Sequence, residues 1–193
     1  MEERRPPVPG ALSAVKPPVL VVPGWGDSGP EHWQSLWEAA NPDFQRVVQR
    51  DWLYPICSEW VDTLGAAIRK AGAPAVLVAH SLGCLAIAHC VQATAPPDLP
   101  IRGALLVAPP DVERPDFPPV LEGFAPIPRE RLPFPSIVVA SRNDPFSEFA
   151  RAEALAAAWG SRLVDIGEQG HVNADAGLGP WPAGERLLES LRG

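Results

Sequence analysis

The sequence predicts an α/β protein: a three-layer α/β/α sandwich around a mostly parallel sheet of about six strands. Two observations carry that expectation. Short aliphatic runs such as Val19-Leu20-Val21-Val22 and Ile137-Val138-Val139-Ala140 recur without polar alternation, as strands covered on both faces do. Longer stretches with apolar residues at helical spacing separate them, and strand–helix alternation implies a parallel sheet with right-handed crossovers. At 193 residues, 46% of them hydrophobic, the chain has material for one domain with a sizeable core.

Each element has its own local reason. Residues 1–17 hold Pro6, Pro7, Pro9 and Pro17 among charged residues and read as a flexible proline-rich tail, leaving 18–193 as the single domain. The first strand, 19–22, stops at Pro23-Gly24. Ser28-Gly29-Pro30-Glu31 has the cap, early proline and early acid of a helix start, and Trp33, Leu36 and Trp37 follow on one face. Residues 46–49 read as a short strand. Ser58 is placed to cap a helix to about Ala71, with Trp60, Val61, Leu64, Ala67 and Ile68 at helical spacing. Strand 75–79 runs straight into a helix over 82–93, and a buried strand follows over 103–108.

Residues 109–135 contain nine prolines and little periodicity, which predicts a long loop of the kind that is functional or mobile. Strand 136–140, an alanine-rich helix over 148–159 ending at Gly160, strand 162–166 and a helix over 183–191 complete the chain. No stretch is long enough to form a separate cap domain.

Composition excludes several classes. A formal charge of −7 argues against a nucleic-acid partner. Cys57, Cys84 and Cys90 are few, odd in number and unclustered, which suits neither a disulfide scaffold nor a zinc site, and fits a reducing cytoplasm. No apolar run reaches the roughly 20 residues of a membrane span, and the first residues lack the apolar core of a signal peptide.

In parallel sheets ligands bind at the carboxyl ends of the strands, so the residues just after each strand are the candidates. Ser81 follows strand 75–79 at a strand–turn–helix bend, which lifts a serine hydroxyl clear of the sheet. Asp144 follows strand 136–140, and His171 follows strand 162–166. A free serine is a weak nucleophile and needs a base within reach. His171 supplies one, and Asp144 is the candidate to orient it. The acyl-transfer oxyanion also needs donors: the backbone N–H groups of Leu82, opening the helix, and of Trp25, in the Pro23–Gly26 loop. Asp111, on the same edge, is the rival acid. Cys84 reads as helix packing. Trp181 and His32 are candidate pocket-lining residues.

Val22-Pro23-Gly24-Trp25-Gly26, Ala79-His80-Ser81-Leu82-Gly83-Cys84, Asp144-Pro145 and Gly170-His171-Val172-Asn173, running on to Gly179-Pro180-Trp181-Pro182, together resemble the α/β-hydrolase fold. Within it, the chain is similar to the small cap-less serine hydrolases of the retinoblastoma-binding protein nine family, over roughly Pro18 to Leu191. The resemblance implies a triad of Ser81, Asp144 and His171, cleaving an ester, thioester or amide of a small-molecule or acyl substrate, with no cofactor or metal. Ala79 stands where such elbows usually have glycine, and Pro23 where the oxyanion loop usually has histidine. The family's pocket-protein motif is not matched at Pro55–Glu59, which lacks its leucine. The competing expectation is a non-catalytic binding module that keeps the fold. A dehalogenase would want aspartate at position 81.

Overall fold

The computed structural model describes residues 16–94 and 98–193, so the tail expected at 1–17 lies almost wholly outside the described residues. Six strands form one sheet: β1 (Val19–Val22), β2 (Phe44–Arg46), β3 (Ala75–His80), β4 (Ile101–Val107), β5 (Ser136–Ala140) and β6 (Arg162–Asp165). Their order is β2-β1-β3-β4-β5-β6, and every pairing is parallel. Among the described residues, five α-helices flank the sheet: α1 (Trp33–Ala40), α2 (Cys57–Lys70), α3 (Leu82–Ala93), α4 (Phe149–Trp159) and α5 (Pro182–Arg192).

Strand alternation divides the core in two. Leu20, Val22, Leu77, Ala79, Leu106 and Val138 face α2, α3 and α4. Val19, Val21, Val76, Val78, Leu105 and Val139 face α1 and α5. The stretches 19–22, 75–79, 104–107 and 137–140 are apolar at every position because both faces of the sheet are covered there. Burying such side chains contributes about 1.5–3 kcal/mol each.

Three boundaries differ from expectation. Helix α1 starts at Trp33 rather than near Ser28: the His32 side chain caps it by accepting from the Gln34 N–H, and the Ser28 hydroxyl is spent on the Gln34 side chain at 2.7 Å. Helix α2 starts at Cys57 with Ile56 as a cap that offers no side-chain bond, and Ser58 falls inside the first turn. The Cys57 N–H is satisfied by the Glu122 carbonyl at 2.9 Å, so residues 109–135 do the work a capping side chain would have done. Strand β2 covers 44–46 rather than 46–49. Val47 still bonds the Val21 carbonyl, but Val48 turns out to solvent.

Residues 109–135 are largely irregular, as expected, but well packed. Phe124, Ile127 and Leu132 are buried in the larger core cluster. The His89 imidazole donates to the Phe124 carbonyl, and Glu113 accepts from the Ile127 N–H at 2.8 Å while pairing with Arg129 and Arg151.

The β3–α3 junction is packed tightly against the end of β1. A Cβ on Gly83 would lie 2.4 Å from the Val22 carbonyl oxygen and 2.7 Å from that of Pro23. Both obstacles are backbone, so neither can swing aside. Ala79, by contrast, is accommodated: its methyl is fully buried in the α3 side of the core and the turn still forms. Gly83→Ala is therefore expected to lower unfolding free energy by about 1–3 kcal/mol, the usual cost of overpacking. Urea denaturation of the variant against wild type measures it.

Candidate active site

Ser81 sits between β3 and α3 with φ 52° and ψ −124°. A non-glycine residue pays to hold a positive φ. Here the Ser81 N–H bonds the Val107 carbonyl and its own carbonyl accepts from Cys84, both at 2.9 Å, so the turn is fixed from both sides. Gly24 closes over it: a Cβ there would lie 2.7 Å from the Ser81 Cβ.

Three loops at the same sheet edge bring the predicted residues together. His171 Nε2 is 2.8 Å from Ser81 Oγ. His171 Nδ1 is 3.0 and 2.9 Å from the two Asp144 oxygens. The Asp144 side chain is almost wholly buried, and Oδ1 also accepts from the Phe146 N–H. A carboxylate there holds the Nδ1–H tautomer, which leaves Nε2 free to accept the serine proton. Asp111 lies elsewhere: it pairs with Arg151 at 3.2 Å, and its N–H bonds the Phe146 carbonyl.

Two side chains that the sequence reading passed over join the acid and base loops. Ser141 Oγ accepts from the Gln169 N–H, and Asn143 Oδ1 accepts from the Gly170 N–H at 2.7 Å and from Ser141 Oγ at 2.9 Å. A third, Gln34, is completely buried and donates to the carbonyls of Val22 and Val78, tying together the ends of β1 and β3. Its only sequence signal was a polar residue on the apolar face of a helix.

Ser81 and His171 open onto a cavity of about 210 Å³, walled chiefly by Trp25, His32, Pro110, Phe117, Leu121 and Phe146. Its walls therefore come from loops and not from an inserted domain. Trp25 and Leu82 both border it, as expected for residues whose amides would face a reacting carbonyl. The Gly24–Asp27 turn is closed by Asp27 N–H to Gly24 O and anchored by Gly26 N–H to Trp52 O, which leaves the Trp25 amide outside the turn's own bonds.

Trp181 is a correction. It does not line the cavity. Its indole stacks on Trp37 at 5.9 Å and meets Trp33 edge-on at 5.2 Å, in the core beneath α5. Pro182 opens α5 immediately after it, and Gly184 lies so close that a Cβ would meet the ring at 2.2 Å, so the side chain is clamped against the sheet. His32 does border the cavity, as expected. Cys84 is buried, which pushes its thiol well up and leaves it unreactive.

The buried imidazoles are neutral. Burial, with the nearby Arg46 and His171, pushes His32 down to about 4, and His80 also falls well below the usual histidine range, chiefly through burial. Both groups bind a proton more readily in the unfolded chain, so stability is present above about pH 6.5 and is lost as pH falls toward about 4. For His32 the full loss is about 3 kcal/mol. His32→Asn, which offers a capping oxygen in place of Nδ1, is expected to flatten that part of the pH dependence, read from urea unfolding at pH 7 and 4.5.

Fold and site together define an α/β hydrolase. The chain belongs to the serine hydrolase family, whose model matches residues 19–190. The resemblance to the retinoblastoma-binding protein nine family is consistent with that membership. Among solved structures, a protein from Pectobacterium atrosepticum described as a YdeN-like hydrolase is 39% identical over 90% of each chain, with a TM-score of 0.77. The ydeN gene product of Bacillus subtilis is 22% identical over 91% of this chain and 98% of its own, with a TM-score of 0.68. A thermophilic esterase from Thermogutta terrifontis shares the fold at 18% identity, covering 91% of this chain and 88% of its own, with a TM-score of 0.59. No curated protein matches this sequence. Among the described residues, no helix is long and apolar enough to cross a membrane.

Proposed function

We propose that the protein cleaves a carboxylic ester, thioester or amide through an acyl-enzyme intermediate on Ser81. The observation that carries this reading is the unbroken chain of contacts from Ser81 Oγ through His171 to Asp144, with the serine at a left-handed strand-to-helix turn. Ser81 Oγ attacks the carbonyl carbon while His171 Nε2 takes its proton. Asp144 stabilises the imidazolium that forms. The Trp25 and Leu82 amides hold the oxyanion, each contributing about 10²–10³ in rate. The imidazolium then protonates the leaving group. Water, deprotonated by the same imidazole, attacks the acyl-enzyme and restores Ser81. Protein groups and water balance every step.

The cavity favours a modest acyl group. At about 210 Å³ it falls below the 300–1,000 Å³ typical of sites that enclose larger ligands. Its apolar wall of Phe117, Leu121 and Phe146 suits a short hydrocarbon arm.

A fluorophosphonate probe is expected to label wild type and not Ser81→Ala, read by intact-protein mass spectrometry. Labelling that persists in Ser81→Ala would sink the assignment. Hydrolysis of p-nitrophenyl acetate at equal rates in wild type, Ser81→Ala and His171→Ala would instead indicate a non-catalytic binding module.

The two carboxylates separate cleanly. Asp144→Asn is expected to lower kcat by about 10⁴, because the histidine is then held in the wrong tautomer. Asp111→Asn alters contacts to Arg151 and the Glu113 N–H, neither of them at Ser81 or His171, and should leave kcat within a few-fold of wild type. Steady-state kinetics on the same ester measures both.

A further inference from the structure

The loop carrying His171 is fixed from a second direction, through its backbone carbonyls. His80 Nε2 lies 2.8 Å from the His171 carbonyl oxygen. A carbonyl only accepts, so this nitrogen carries the imidazole proton. Trp33 Nε1 donates to the next carbonyl, that of Val172, also at 2.8 Å. Both donors are buried. They come from elements that the sheet has already fixed: His80 ends β3 directly before the nucleophile, and Trp33 opens α1.

The backbone they grip is strained. Val172 is β-branched yet has φ 53°, a conformation costing about 1–3 kcal/mol that persists only where its surroundings over-determine it. Its side chain is fully buried, and its N–H is held by Gln169 O at 3.1 Å. The His80 ring also packs on the His171 ring, with centroids 4.9 Å apart. His32 backs this arrangement, meeting His80 at 4.7 Å and Trp33 at 5.1 Å.

We propose that His80 and Trp33 are positioning residues: their two N–H groups clamp consecutive carbonyls, hold Val172 in its left-handed conformation and so keep His171 Nε2 on the Ser81 hydroxyl. This rests on the serine-hydrolase reading above. Without the clamp, Val172 relaxes toward extended backbone and the imidazole swings away from Oγ. Because His80 stays neutral, the imidazolium formed on His171 meets no like charge from the ring beside it.

The test is fluorophosphonate labelling kinetics, resolved into the limiting first-order rate and the half-saturating probe concentration. Trp33→Phe keeps an aromatic ring in the core while removing the N–H along with part of the indole. His80→Leu removes the other donor, and His80→Gln restores an N–H at similar reach. A displaced base costs up to about 10² in rate. The limiting rate should therefore fall by about tenfold or more in Trp33→Phe and His80→Leu, with half-saturation little changed, and His80→Gln should recover most of it. Thermal melts confirm that each variant is folded, and Trp33→Phe, the least disruptive, decides the matter if His80→Leu is not. The clamp is overturned by wild-type limiting rates in Trp33→Phe and His80→Leu, by His80→Gln being no faster than His80→Leu, or by a loss that appears in half-saturation alone. Wild type that takes no Ser81-dependent label overturns the hydrolase reading beneath it instead.

Discussion

Everything at this site depends on how closely helix α3 approaches the end of β1. Gly83 lies against the carbonyls of Val22 and Pro23 with no room for a methyl group, and Gly24 lies against Ser81 from the other side. That double contact brings the Pro23–Asp27 turn over the serine and places the first amides of α3 beside it. It also forces the chain between β3 and α3 through a left-handed residue, which is what projects the hydroxyl off the sheet. Relaxing the contact would separate Ser81 from the loop proposed to hold the oxyanion.

The remaining groups reach the serine because the sheet is parallel. Strands β3, β5 and β6 all end at one edge, so residues 63 and 90 positions beyond Ser81 in the chain arrive beside it. Side chains then correct the residual freedom of three separate loops. Ser141 and Asn143 fasten the base loop to the acid loop, while Gln34 fastens β1 to β3. The edge that carries the candidate site is thus held by polar side chains, Gln34 and Ser141 buried and Asn143 exposed, that bond backbone groups of neighbouring segments.

The strands and the residues that meet at the candidate site were legible in the sequence for the same reason. Apolar runs such as Val19–Val22 announce buried parallel strands, and the chemistry stands directly after them, so Ser81, Asp144 and His171 could be found by position. What escaped was decided by distant partners. The start of α2 depends on the carbonyl of Glu122, some 65 residues away, which no local capping signal reveals. Trp181 looked like a pocket residue because it is aromatic and on a loop; only the packing of α5 shows which side of the sheet it faces. Phe117, Leu121 and Phe146 wall the cavity from irregular segments that have no periodicity to read. Asp111 follows a strand at the same edge, and only the geometry shows His171 paired with Asp144 while Asp111 meets Arg151.

The two ends of the sheet carry a consequence of their own. An open sheet presents unpaired backbone along its outer strands, a standing invitation for another chain to add a strand. Here the outer strands are β2 and β6, of three and four residues. On β2, Arg46 is pinned by Asp27 at 2.8 Å and by Glu38, fixing a charged group on the rim. On β6, Arg162 and Asp165 are exposed, and Asp165 pairs with Arg142. Both margins are too short and too charged to template cross-strand growth, so a fold that leaves its sheet unclosed guards its own borders against aggregation.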